Sequence, residues 1–186
     1  MLTTLTYLSA IGGIVALIYA VILAVRINKM DSGTKKMKEI AQSINEGAKA
    51  FLFSEYKILV IFVATVFVVI SVCGIITKSD VLNYRTALAF LIGAILSTLA
   101  GYCGMSVATK ANVRTANAAK EKGMNSALST AFSGGAVMGM CVSGLGLLGV
   151  CLIYALTGDD NILFGFSLGA SSIALFARVG GGIYTK

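Results

Sequence analysis

Five stretches of the chain, residues 1–25, 58–77, 86–109, 123–158 and 161–177, contain no Asp, Glu, Lys or Arg. A helix needs about 20 apolar residues to cross a hydrocarbon core of roughly 30 Å, and these runs meet or approach that length. The pattern predicts five transmembrane spans, at about 2–25, 58–77, 86–109, 128–156 and 161–178, within one membrane domain covering 1–186. The first run is too long for a signal-peptide core and has no basic residue before it, so it reads as an uncleaved N-terminal helix. The third should continue as helix beyond Thr109, because the Ala-rich stretch 108–122 meets no breaker before Gly123.

The connection 26–57 has a pattern of its own. Met37, Ile40, Ala41, Ile44, Ala48 and Phe51 recur at helical spacing, while Lys38, Glu39, Asn45, Glu46 and Lys49 fall elsewhere. This predicts a cytoplasmic amphipathic helix. Gly47 in its middle costs about 1 kcal/mol relative to Ala, so the apolar face needs either the headgroup region or a protein partner to rest on.

Basic residues orient the spans, since short cytoplasmic loops retain Lys and Arg during insertion. Connection 26–57 carries seven, connection 110–122 carries four, and Arg178 and Lys186 close the chain. The opposite side has only Lys78 and Arg85, and its last turn is acidic at Asp159 and Asp160. The expected topology is N-terminus outside and C-terminus inside, with 26–57 and 110–122 both cytoplasmic.

Composition narrows the chemistry. A chain of 186 residues that is 57% hydrophobic and 12% charged is an integral membrane protein rather than a soluble domain. The absence of His, Trp and Pro removes histidine acid/base catalysis, histidine metal ligation and proline kinks within this chain. A net charge of +7 raises nucleic acid as a partner, but the charge is gathered where topology needs it, with no interleaved aromatics to stack bases, so nucleic-acid binding is not expected. Cys73, Cys103, Cys141 and Cys151 lie in apolar runs without metal-ligand spacing and read as small buried residues.

Helices that pack closely in a membrane need small residues to bring their backbones together. Span three carries Gly93, Ser97 and Gly101, span four Gly135, Gly139 and Ser143, and span five Gly165 and Gly169 followed by Ala170, Ser171 and Ser172. Spans one and two lack such a series apart from Gly12 and Gly13, so the seams predict a bundle larger than this chain, with spans three to five towards its interior and spans one and two towards lipid. The chain also finishes on Arg178, Val179, three glycines, Ile183, Tyr184, Thr185 and Lys186 without a polar terminal segment, which reads as an element cut short.

These residues carry a resemblance. Segment 165–186, with Gly165, Gly169, Ser171, Ser172, Arg178 and the triplet Gly180, Gly181, Gly182 before Lys186, resembles the fifth-helix segment of membrane-bound pyrophosphatases. Segments 38–52, 101–116 and 131–139 fall in the family's order, so the likeness covers nearly the whole chain. It implies an all-α integral membrane protein of about sixteen helices that couples hydrolysis of magnesium pyrophosphate on the cytoplasmic side to outward transport of H+ or Na+. The implied setting is a plasma membrane, and the implied assembly is a homodimer when full length.

The resemblance assigns roles to two residues here. Lys186 matches a lysine that contacts pyrophosphate, where an ammonium neutralises phosphate oxygens as a point charge; taken alone it reads more readily as a snorkelling end-of-helix lysine. Arg178 matches an arginine of the polar network leading to the ion gate; taken alone it also suits a topology charge. Gly180, Gly181 and Gly182 lack the GKS or GKT ending of a phosphate-binding P-loop and read as backbone flexibility or close approach.

No catalytic or metal-binding residue is expected in this chain. In the family the aspartate-rich catalytic stretch follows the position of Lys186, and the carboxylates that hold Mg2+ come from further helices. The acidic residues present, Asp31, Glu39, Glu46, Glu55, Asp80, Glu121, Asp159 and Asp160, are scattered over connections. The expectation is therefore the N-terminal part of an ion-translocating pyrophosphatase, inactive by itself, with Arg178's carboxylate partner supplied by the missing helices. Ion identity, K+ dependence, oligomeric state and whether the chain naturally ends at Lys186 stay open. A non-enzymatic multi-pass channel, transporter or assembly subunit is the alternative that small-residue architecture alone would also suit.

Overall fold

The computed structural model describes residues 2–77 and 83–184, and the side chains of 6–77 and 83–182. Lys78, Asp80 and Lys186 lie outside the described residues. The architecture is all-helical, in the order α1 (Leu2–Lys29), α2 (Lys35–Thr77), α3 (Tyr84–Lys122), α4 (Met124–Thr157) and α5 (Asp160–Tyr184). All five contain a stretch long and apolar enough to cross a membrane. Within hydrocarbon a helix satisfies its own backbone hydrogen bonds, which is why uncharged runs of this length settle into helices rather than open sheets.

The amphipathic segment is the N-terminal part of α2, continuous with the second span, and not a separate element. With 43 residues, α2 extends about 65 Å at 1.5 Å per residue, twice the thickness of a hydrocarbon core. Nothing between Lys35 and Thr77 stops it: the chain has no Pro, and its two glycines there, Gly47 and Gly74, are too weak as breakers. On this extension Ala48 and Leu52 are buried, whereas Ile40 and Ile44 are exposed. α3 runs on to Lys122 as its sequence suggests, and Gly123, with φ of 82°, makes the whole turn into α4. The fourth helix therefore begins four residues before the expected start at 128.

The helix ends show which connections lie together. Arg114 of α3 donates from Nε to the Met30 carbonyl (3.1 Å) and from Nη2 to the Asn28 carbonyl (3.3 Å), satisfying acceptors that α1 leaves open at its C-terminus. Asn117 adds a bond from Nδ2 to the Asp31 carbonyl (3.4 Å). Connections 26–57 and 110–122 thus share one end of the bundle. At the other end Thr86, near the start of α3, lies against Gly165, near the start of α5. Asn83 caps α3 by accepting from the Thr86 N–H (3.0 Å), and the left-handed Gly158 closes α4 with its N–H on the Tyr154 carbonyl (2.8 Å).

α3 packs against all four other helices, and α1 rests mainly on α4. The α3–α5 seam follows the small residues that the sequence singles out. Ser97 Oγ donates to the Ala170 carbonyl (3.0 Å). A Cβ on Gly93 would run into the Phe166 carbonyl, and one on Gly169 into that of Phe90.

Two parts of the small-residue reading need correction. α1 is not merely lipid-facing: Gly13 and Gly144 pack backbone to backbone, so that a Cβ on either would sit about 3 Å from the other's carbonyl oxygen. Within α4, Gly135 and Gly139 have nothing nearby, and the working positions are Gly134, Gly144 and Gly149. Gly101 of α3 is likewise open. Residues four apart drift by about 40° around a helix of 3.6 residues per turn, so a run of four-residue steps leaves a packing face that steps of three and four, such as Gly134, Val137, Cys141 and Gly144, keep to. Those last four are all buried.

The orientation has a direct check. In a cysteine-free background, single cysteines at the exposed positions Lys49 and Lys120 should react with an impermeant thiol reagent only from the cytoplasmic side, and one at Tyr84 only from outside. The opposite pattern would invert the topology. Asn117 is unsuitable as a reporter because it is buried.

Candidate functional site

A cavity of about 570 Å³ is bounded by α2, α3, α4 and α5. α2 contributes Glu55 and Tyr56, α3 contributes Ser97 and Thr98, and α5 contributes Ser171 and Arg178. Most of the remaining wall is apolar, including Met138 and Val142 of α4. The α2 register that delivers Glu55 is set by Leu52 and Leu59, three residues before it and four after, which are both buried.

Most of the hydroxyls here are already committed to backbone acceptors. Tyr56 Oη donates to the Thr98 carbonyl (3.4 Å), Thr98 Oγ1 to the Ala94 carbonyl (2.8 Å), and Ser97 Oγ to the Ala170 carbonyl. Nearby Lys57 is occupied too, with Nζ 4.4 Å from the centre of the Phe53 ring. Among the described residues Glu55 and Arg178 are the only charged ones on the cavity wall. Glu55 Oε1 is buried and has no hydrogen-bond partner among the described residues.

Of the two residues that the sequence nominates, Arg178 lines this cavity and Lys186 lies outside the described residues. Sequence reasoning passed over Glu55, grouping it with scattered carboxylates of the connections. Its signal was register: it stands on the Leu52 and Leu59 face, one turn before the uncharged run 58–77. α5 comes close to it, since a Cβ on Gly180 would stand 3.0 Å from Glu55 Oε1 and 3.4 Å from Phe51 Cζ.

Among the described residues no group of three or more His, Cys, Asp or Glu side chains is placed to hold a metal ion. A single carboxylate is not a magnesium site, which takes oxygen ligands in near-octahedral array. The residues described here therefore do not fit the Mg2+ that the resemblance implies, and no step is derived through it.

Comparison with known proteins places this arrangement. Residues 14–186 match the family described as Inorganic H+ pyrophosphatase. A K(+)-insensitive pyrophosphate-energized proton pump of Methanosarcina mazei is 46% identical over 182 residues, covering 98% of this chain and 26% of the relative. A K(+)-stimulated pyrophosphate-energized sodium pump of Thermotoga maritima is 38% identical over 196 residues, covering 93% and 26%. A Clostridium tetani relative, provisionally named as a K(+)-stimulated pyrophosphate-energized sodium pump, is 51% identical over 179 residues, covering 96% and 25%. The chain thus spans about a quarter of the length of these relatives. With the match running from the first helix to the last residue, and five apolar helices arranged as a multi-pass membrane protein, the chain belongs to the inorganic H+ pyrophosphatase family.

Proposed function

We propose that this chain is the N-terminal part of a pyrophosphate-energised ion pump, which couples hydrolysis of magnesium pyrophosphate at the cytoplasmic face of the plasma membrane to outward movement of H+ or Na+. The observation that carries this is the likeness over nearly the whole chain to relatives named as such pumps. Relatives named for either ion, and for either response to K+, share this quarter. On this reading ion choice and K+ dependence rest on residues elsewhere in the full pump, as do the Mg2+ ligands and the contacts of a homodimer.

Within this reading the chain supplies two cationic contacts. Lys186 neutralises phosphate oxygens of pyrophosphate as a mobile point charge. Arg178 belongs to the polar path between the hydrolytic site and the ion gate. A guanidinium at the centre of a bilayer costs about 2.5–3.5 kcal/mol on insertion scales, so an arginine in a glycine- and serine-rich helix needs a compensating partner.

The test is paired assay of pyrophosphate hydrolysis and ion uptake in vesicles holding the full-length pump. Arg178→Ala should lower both by about tenfold or more, the scale of leaving a buried charge without its partner. Arg178→Lys should recover only part of each, because an ammonium keeps the charge and loses the planar two-pronged hydrogen bonding. Wild-type values for Arg178→Ala in both assays would reduce Arg178 to a topology charge.

A further inference from the structure

α1 rests mainly on α4, whereas α2 packs on α3 and α5 and makes no helix contact with α1 or α4 among the described residues. The short segment between Lys29 and Lys35 is all that joins α1 directly to α2, and α3 holds it by its carbonyls. Arg114 donates from Nε to the Met30 carbonyl and from Nη2 to the Asn28 carbonyl, while its Nη1 donates to the Lys110 carbonyl (2.8 Å), which fixes the guanidinium to its own helix. Asn117, three residues on and so on the same face of α3, donates to the Asp31 carbonyl and is only 4% exposed. The segment is shaped to lie there. Gly33 has φ of 80° and gives its N–H to Asp31 Oδ1 (3.1 Å), and a Cβ on it would stand 2.6 Å from Asn117 Oδ1.

We propose that residues 30–34 form a strap that Arg114 and Asn117 fasten across α3, holding the start of α2 in a fixed place relative to α1 and α4. From that point α2 runs unbroken to the cavity, where Leu52, Glu55, Tyr56 and Leu59 form part of the wall. Between the strap and Ala48 no residue of α2 is buried, so this stretch has no comparable hold of its own. With the strap unfastened it is free to swing, and the α2 side of the cavity moves with it. Arg114 is the stronger fastening, because hydrogen bonds from a charged donor exceed neutral ones. The strap is a property of this chain and stands apart from the pump reading.

Two measurements on this chain in lipid nanodiscs test it. In hydrogen exchange, Arg114→Ala should quicken the amides of Met30, Gly33, Met37 and Lys38 by about tenfold or more, the scale of losing two hydrogen bonds to a charged donor. Amides at the centre of α4 should keep their wild-type rates. In a cysteine-free background, spin labels at Lys38→Cys and Met124→Cys, both exposed positions, should give one narrow distance distribution, which Arg114→Ala broadens. Arg114→Lys, which keeps the charge and loses the fork, should broaden it less. Gly33→Ala leaves both α3 side chains in place and should broaden it as well, since neither the backbone angle nor the space suits a Cβ.

Wild-type exchange and a narrow distribution in Arg114→Ala would overturn the strap. Equal quickening at the centre of α4 would overturn it too, because the loss would then be general. Should Arg114→Ala fail to fold, Asn117→Ala and Gly33→Ala decide by the same readings: local quickening with a broadened distribution supports the strap, and wild-type behaviour in both overturns it.

Discussion

Gly169→Ala should destabilise this chain far more than Gly139→Ala, although both add one methyl group to a membrane helix. At Gly169 the methyl runs into the Phe90 carbonyl and stands 3.1 Å from the Ala94 nitrogen. These are backbone atoms of α3 that no rotamer change can move aside. The α3–α5 seam must open along its length, breaking the Ser97 to Ala170 hydrogen bond and the packing of Gly93 on Phe166. Overpacking costs typically 1–3 kcal/mol where side chains can adjust, and a rigid obstacle belongs at or above the top of that range. At Gly139 nothing lies within 4 Å, so the substitution should gain up to about 1 kcal/mol of helix propensity. Unfolding of the two variants in detergent checks this; equal stabilities would mean that the α3–α5 approach is looser than it stands here.

The chain by itself should release no phosphate from magnesium pyrophosphate above a membrane-only control. Metal-assisted attack on a phosphoanhydride needs carboxylates to hold the ions and to polarise the water, and the described residues bring no such group together. Among the described residues the cavity wall carries a single carboxylate, Glu55, and Lys186 alone can attract an anion without activating a nucleophile. Magnesium-dependent phosphate release by purified protein of this length would overturn the view that the catalytic groups lie outside it.

How much of this was legible in the sequence depends on what each feature requires. Uncharged runs determine helices because a bilayer leaves the backbone few alternatives, so the five spans and the continuation of α3 to Lys122 could be read directly. The merger of the amphipathic segment into α2 was less visible, since its charges suggested a separate surface element, while the physical fact that decides it is the lack of any strong breaker from Lys35 to Thr77. Gly93, Gly165 and Gly169 were found as packing positions because α3 and α5 meet along a single seam. In α4, by contrast, glycines occupy several faces, and composition cannot say whether Gly134 or Gly135 meets a neighbour. Arg178 announced itself as a lone charge after an uncharged run. Glu55 did not, because its meaning depends on a helix more than 120 residues away in sequence that comes to lie beside it.

The measurement that bears most directly on the central claim is a fusion in which this chain replaces the matching quarter of the Methanosarcina mazei proton pump. Reconstituted in vesicles, the fusion should hydrolyse magnesium pyrophosphate and drive proton uptake, and both activities should fall together when it carries Arg178→Ala. A fusion that inserts into the membrane at the parent's level yet neither hydrolyses pyrophosphate nor moves protons would contradict the assignment of this chain to the working part of such a pump.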